Sequence, residues 1–212
     1  MLNVEYLKSA KTIFWDFDGV IKDSVVVKSD AFESLFMPFG ENIAKRVRKH
    51  HEKNGGMSRF DKLPIYLNWA GEEPVEKIID EFEEMFSELV KQKVIDSVWV
   101  VGALDYLKEH NYHQQFFLIT ATPQQEIEII LSALEINHFF KEIVGAPTKK
   151  EDAIQKVISE YNITPEDAIM IGDSYSDYRA ALENKVSFVL KKTELNNNLQ
   201  QQLECKMIDN FL

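Results

Sequence analysis

Four short apolar runs govern what this chain can fold into: residues 12–17, 116–120, 169–172 and 186–190. Each is rich in Ile, Val and Phe, is too short for a self-standing helix, and gives way to small or polar residues, so each reads as a buried strand. Ile143-Val144-Gly145 offers one more short strand. Helical patterns at 123–134, 151–161 and 177–183 alternate with the later strands. That order predicts a doubly wound, Rossmann-like α/β fold with a parallel sheet and right-handed crossovers. In such sheets ligands bind at loops leaving the carboxyl ends of the strands. Chemistry is therefore to be sought just beyond each run.

Residues 23–96 break the rhythm, being long, charged and helix-like with no evident strand. They read as a helical domain inserted into a core made of residues 1–22 and 97–212. Helices are expected at 28–36, 42–52, 61–69 and 74–90. Pro74 suits a first helical position, and Phe82, Met85, Phe86 and Leu89 form one apolar stripe that reads as core packing. The tail from Thr193, with its Asn and Gln runs, reads as loop or a loosely docked terminal helix.

With 24 Lys and Arg against 35 Asp and Glu, the formal net charge is -11. That field repels nucleic acid and anionic membranes, and excludes neither a bound cation nor a small anionic substrate. No run is long enough to cross a bilayer. The lone Cys205 cannot form an intramolecular disulfide, and residues 1–11 lack the apolar stretch of a signal peptide, so the expected location is cytoplasmic. A monomer or a homodimer is expected.

The first run ends in Asp16-Phe17-Asp18-Gly19-Val20. Two carboxylates so close need a shared cation or proton. Phosphoryl transfer would use both remedies, with one carboxylate attacking phosphorus and the other moving a proton. Asp-x-Asp-Gly also fits a calcium loop or a strand-ending turn. Gly19 would let the backbone approach a phosphate. The second run ends in Thr120-Ala121-Thr122-Pro123, placing the Thr120 hydroxyl near a helix N-terminus, with Thr122 expected as an ordinary helix cap. Lys149-Lys150 precedes another helix. Gly172-Asp173-Ser174-Tyr175-Ser176-Asp177 supplies two more carboxylates at a strand end, suited to Mg²⁺.

Together these four segments, from Asp16 to Asp177, resemble the motifs of the haloacid dehalogenase superfamily of phosphohydrolases. The insert after the first motif resembles the cap of its phosphoglycolate phosphatase and phosphomutase-like branch, as does Asp23-Ser24. The resemblance implies Asp16 as nucleophile, Asp18 as general acid and base, Thr120 and Ala121 as phosphate donors, and Lys150 neutralising the phosphoryl group. Lys149 is the alternative for that last role, because the Lys-Pro pair common in the branch is absent. It further implies Mg²⁺ held by Asp16, the Asp18 backbone carbonyl and Asp173, with Asp177 as a ligand or as the group orienting a metal water.

In that branch the cap reads the substrate. Asn54-Gly55-Gly56-Met57-Ser58-Arg59 is the expected reading loop: Gly55 and Gly56 permit close approach, Ser58 lies beside them, and Arg59 could grip a carboxylate or second phosphate. The basic stretch from Lys45 to Lys53 reads as a solvated helix face, and the adjacent His50 and His51 diverge on a helix, which disfavours a shared metal. The expected activity is hydrolysis of a small phosphate monoester. A phosphomutase would use the same residues, and a catalytically silent binding domain is the reading from another class, against which the intact motifs argue.

Overall fold

The computed structural model describes residues 5–110 and 112–212; residues 1–4 of the expected core segment lie outside them. After a short helix α1 (Glu5–Lys8), strand β1 (Thr12–Trp15) leads directly into four helices, α2 (Val25–Phe36), α3 (Glu41–Lys53), α4 (Arg59–Ala70) and α5 (Glu76–Asp96). The chain then alternates: α6 (Ala103–His110), β2 (Gln115–Pro123), α7 (Gln124–Ala133), β3 (Glu142–Ala146), α8 (Lys150–Tyr161), β4 (Ala168–Gly172), α9 (Tyr175–Glu183), β5 (Ser187–Lys191), α10 (Asn197–Gln202) and β6 (Lys206–Ile208).

The strands form one parallel sheet in the order β3-β2-β1-β4-β5-β6. Progress along the sheet reverses at β1, so the crevice between the ends of β1 and β4 is the topological switch point. Asp16 and Asp18 follow one of these strands and Asp173 follows the other. Topology alone thus brings carboxylates far apart in sequence, Asp16 and Asp173, to one place.

Strand alternation divides the core. Phe14, Phe117, Ile119 and Met170 pack with Ala153, Ile154 and Val157 of α8 and Ala180 and Ala181 of α9. Ile13, Trp15, Phe116, Leu118, Ile169 and Ile171 face the other way, beneath Tyr106 and Leu107 of α6 and Ile127, Ile130 and Leu131 of α7. That second layer continues without a break into the inserted helices through Phe32, Phe36, Leu63, Tyr66, Phe86 and Val90. The insert and the sheet therefore share apolar contact.

Three expectations need correction. The tail is not loose: β6 adds a sixth strand beside β5, and Phe211 stacks on the buried Trp15 with ring centroids 5.1 Å apart. Pro74 precedes α5 rather than opening it, because the extended Val75 serves as N-cap, and the helix continues to Asp96. Pro123 ends β2 and caps α7, which begins at Gln124. Trp15 also packs edge-on against Phe116 and Tyr106. Removing the Phe211 ring from this cluster should cost about 3 kcal/mol. Calorimetry on Phe211→Ala is expected to show a melting temperature roughly 6–12 °C lower.

Candidate active site

β1 enters the site as a buried strand, and its register ends one residue before Asp16, whose backbone N–H still donates to Ile171 of β4 at 2.9 Å. The Asp16 side chain is thereby fixed at the sheet's carboxyl edge, with Oδ1 accepting the Phe17 N–H at 2.8 Å and Oδ2 accepting Lys150 Nζ at 2.9 Å. Lys150 is the first residue of α8, and its ammonium also donates to Asp177 Oδ1 at 2.6 Å. The other Asp177 oxygen accepts the Ser174 N–H at 3.1 Å and hydroxyl at 2.6 Å, completing the capping box of α9. Both oxygens of Asp177 are thus engaged, and the carboxylate steers Lys150 toward Asp16.

Asp16, Asp173 and Asp177 offer carboxylate oxygens within 4.8 Å of one another. Among the described residues, Lys150 is the one cation paired with this group, and the Asp173 carboxylate has no hydrogen-bond donor. Desolvation, then Asp177, pushes Asp16 up to about 7 against the pull of Lys150. Desolvation and the neighbouring Asp16 and Asp177 hold Asp173 well above the usual carboxylate range. Lys150 moves the other way: burial works against its charge, but Asp16 and Asp177 outweigh it and raise its affinity for the proton. Three carboxylates around one ammonium leave a deficit of positive charge, which a hard divalent cation with oxygen ligands fits. Gly19, at φ 75, lies against this group, where a Cβ would collide with the Asp173 carboxylate.

Asp18 has a separate set of partners. Its Oδ1 accepts the Ser24 hydroxyl at 2.5 Å, and its Oδ2 accepts the Thr122 hydroxyl at 3.2 Å and the Lys28 ammonium. Lys28 also donates to Thr122 Oγ1 at 2.8 Å. Desolvation alone would raise the Asp18 carboxyl, but Lys28 and the two hydroxyls outweigh it and hold it below its ordinary value. Thr122 therefore belongs with the Asp18 group of the candidate site and does not cap α7, since Pro123 occupies the cap position. Thr120 is buried nearby, with Oγ1 accepting the Thr122 N–H at 3.2 Å and its own proton free to donate.

These groups line a chamber of about 50 Å³ whose floor is the sheet edge and whose roof is the helical insert. Asp16, Asp18, Thr120, Ala121, Lys150 and Asp173 come from below, and Lys28, His51, Gly55, Gly56, Arg59 and Lys62 from above. Lys149 does not join them: it is the exposed N-cap residue of α8 and lines the larger outer cleft, as does Ser58, the N-cap of α4. Gly56 permits the insert to press on the core, since a Cβ there would strike the hydroxyls of Ser174 and Ser176. Arg59 grips no open space; its two terminal nitrogens donate to Glu126 of α7 at 2.9 and 2.5 Å, a buried bidentate pair between insert and core.

Sequence reading missed Lys28, His51, Lys62, Ser24 and Thr122. The stretch containing His51 is otherwise the solvated face expected, with Arg48 paired to Asp30, Glu33 and Glu52, and Arg46 over the Trp69 ring. Lys28 and Lys62 lie on the buried sides of α2 and α4, a placement set by how the inserted helices pack on one another.

A family model described as haloacid dehalogenase-like hydrolase matches residues 13–191. Phosphoglycolate phosphatase 1 of Pseudomonas aeruginosa is 29% identical over 183 residues, covering 81% of this chain and 65% of that protein, so the chain spans less than two thirds of that relative. The phosphoglycolate phosphatase of Nitrosococcus oceani is 26% identical over 82% of this chain and 80% of its own length. Among solved structures, CbbY from Rhodobacter sphaeroides in complex with xylulose-1,5-bisphosphate has a TM-score of 0.75 at 17% identity, covering 95% of each chain. A haloacid dehalogenase-like hydrolase from Streptococcus pneumoniae has a TM-score of 0.69 at 21% identity over 94% of each. At these identities the structural likenesses establish the fold.

The charge deficit generates a test that needs no substrate. Lys150→Met removes the ammonium and should destabilise the metal-free protein by about 3 kcal/mol. Thermal melts with and without Mg²⁺ are expected to show a larger Mg²⁺-dependent rise in the variant than in wild type.

Proposed function

This chain belongs to the haloacid dehalogenase-like hydrolases, and we propose that within them it is a Mg²⁺-dependent phosphatase that hydrolyses a small phosphate monoester through an aspartyl-phosphate on Asp16. The observation that carries this reading is the division between the two neighbouring carboxylates. Asp16 sits in a carboxylate cluster beside Lys150, whereas Asp18 is held apart by Lys28, Ser24 and Thr122. Names of the curated relatives support the substrate class without fixing the substrate.

Asp16 Oδ attacks phosphorus, and the bond from phosphorus to the leaving oxygen breaks as that oxygen takes a proton from Asp18. Asp18 then removes a proton from the water that attacks the phosphorus of the aspartyl-phosphate, releasing inorganic phosphate and free Asp16. Thr120 and the backbone at Ala121 donate to the phosphoryl oxygens, and Lys150 offsets their charge. Mg²⁺, held by Asp16, Asp173 and the Asp18 backbone carbonyl, would neutralise the transferring group and keep Asp16 ionised. Asp177 holds Lys150 in register, and its carboxylate would add to the negative charge that the cation offsets.

Lys28 and the two hydroxyls hold Asp18 toward its ionised form, which is the state required for the second half of the cycle. For the first half it must carry a proton. An anionic substrate drawing Lys28 toward itself removes the interaction that opposes protonation of Asp18.

The two carboxylates therefore predict different failures. Asp16→Asn should lose phosphate release by about 10⁴-fold or more, with no radiolabel retained on the protein after exposure to labelled substrate. Asp18→Asn should turn over about 10²- to 10⁴-fold more slowly while retaining acid-stable, hydroxylamine-labile label on Asp16. Label on neither variant, with turnover intact in Asp16→Asn, would remove the covalent mechanism. EDTA should abolish phosphate release by wild-type protein, and Mg²⁺ should restore it.

A further inference from the structure

Beside the ion pair that joins insert to core lies an unpartnered carboxylate oxygen. Glu83 is on α5, one turn before Phe86, and its Oε1 is buried with no hydrogen-bond partner among the described residues. Residues three apart share a helix face, so Glu83 and Phe86 look the same way. The Arg59 guanidinium sits over that Phe86 ring, its carbon 4.6 Å from the centroid, while its two terminal nitrogens reach across to Glu126 of α7. One guanidinium thus acts on two carboxylates of different layers. Glu126 belongs to the core, and Glu83, like Arg59 itself, to the insert.

The charges that face Glu83 are few. Desolvation, opposed by Arg59 of α4 and reinforced by Asp80 on its own helix and Glu126 of α7, pushes its carboxyl up to about 7. The α2 helix, also packed on α5, turns the apolar Phe32 ring toward Phe86. With the insert seated on the core, Arg59 is spent on Glu126. An ionised Glu83 would then be an unmatched charge near a second carboxylate, so the neutral acid is favoured.

We propose that Arg59 changes partner as the insert moves on the core, holding Glu126 while the two layers are seated and passing to Glu83 once they part, with Glu83 giving up its proton. In the seated form the pair is Arg59 with Glu126, and Glu83 carries its proton. In the parted form the pair is Arg59 with Glu83, Glu126 is hydrated, and the proton has gone to solvent. Glu83 is thereby a positioning residue that acts through Arg59 and touches no substrate. The exchange of partners requires no ligand and stands apart from the phosphatase reading.

Glu83 binds its proton more tightly in the seated form than in the parted one, where water and Arg59 both favour the carboxylate. Acid therefore favours seating. That preference is complete below the ordinary glutamate range and is lost as the pH rises to about 7.

Hydrogen–deuterium exchange on the Mg²⁺-supplemented protein, without substrate, reads the parting directly. Amides of residues 57–63 and 124–130 flank the ion pair on its two sides. Glu83→Gln mimics the protonated acid at nearly unchanged volume, and comparing it with wild type at each pH cancels the intrinsic pH dependence of exchange. Relative to this variant, wild-type exchange in both segments is expected to rise at least about tenfold between pH 5 and pH 8, with β1 and β4 unchanged. Glu126→Gln should exchange rapidly in these segments at both pH values, because Arg59 then has Glu83 alone.

A wild-type to Glu83→Gln ratio that stays flat with pH overturns the proposal, as does a Glu126→Gln variant as protected at pH 5 as wild type. An equal rise in β1 and β4 also overturns it, since the whole fold would then be loosening. None of these outcomes bears on phosphate release, which is measured separately.

Discussion

Three carboxylates gathered around one lysine ammonium are the arrangement to which the rest of this molecule is fitted. Two unit charges 4 Å apart interact by about 4 kcal/mol at an effective dielectric of 20, so the mutual repulsion of Asp16, Asp173 and Asp177 is comparable to a sizeable part of a domain's net stability. The fold holds them together through backbone geometry. The sheet reverses direction between β1 and β4, which fixes Asp16 and Asp173 on adjacent strand ends. The capping box of α9 fixes Asp177, and the start of α8 delivers Lys150. Even the tail contributes, because Asn196 donates to the Asp173 backbone carbonyl at 2.8 Å and to Lys191 at 2.9 Å, bracing the loop from below.

The inserted helices answer this negative floor with a positive roof. Lys28, Arg59 and Lys62 all point inward, in a protein whose net charge is -11. Local potential, and not the sum over the surface, decides what enters. The roof is also tied to the floor by continuous apolar packing from Phe32 and Phe86 down to the sheet. The chamber thus lies between a negative floor and a positive roof.

What the sequence disclosed, and what it withheld, follows from where each signal lies. Asp16, Asp18 and Asp173 stand just after apolar strands, Thr120 lies near the carboxyl end of β2 and Lys150 opens the helix after β3, and those positions mark them, because a strand end in a parallel sheet is a site by construction. The strands themselves were legible from composition, although β6, with three residues, was too short to register against its polar flanks. Lys28, His51 and Lys62 were hidden because a charged residue on an amphipathic helix is normally solvent-facing, and α3 in particular is strongly basic on its outer side. Their burial depends on how α2, α3 and α4 rotate against one another, which is tertiary information. Thr122 was misassigned for a related reason: a hydroxyl before proline satisfies the local pattern of a cap, and only the approach of Lys28 and Asp18 from distant segments claims it for the site.

The bidentate pair between Arg59 and Glu126 has a consequence for how the two layers separate. Both side chains are almost wholly screened from solvent, so separating the insert from the core means rupturing two short hydrogen bonds before water can compensate either charge. Such a fastening resists partial separation, because a half-broken pair leaves both charges buried and unmatched. The cost of parting the two layers is thus concentrated in one pair at the chamber's edge, which touches none of the carboxylates of the floor.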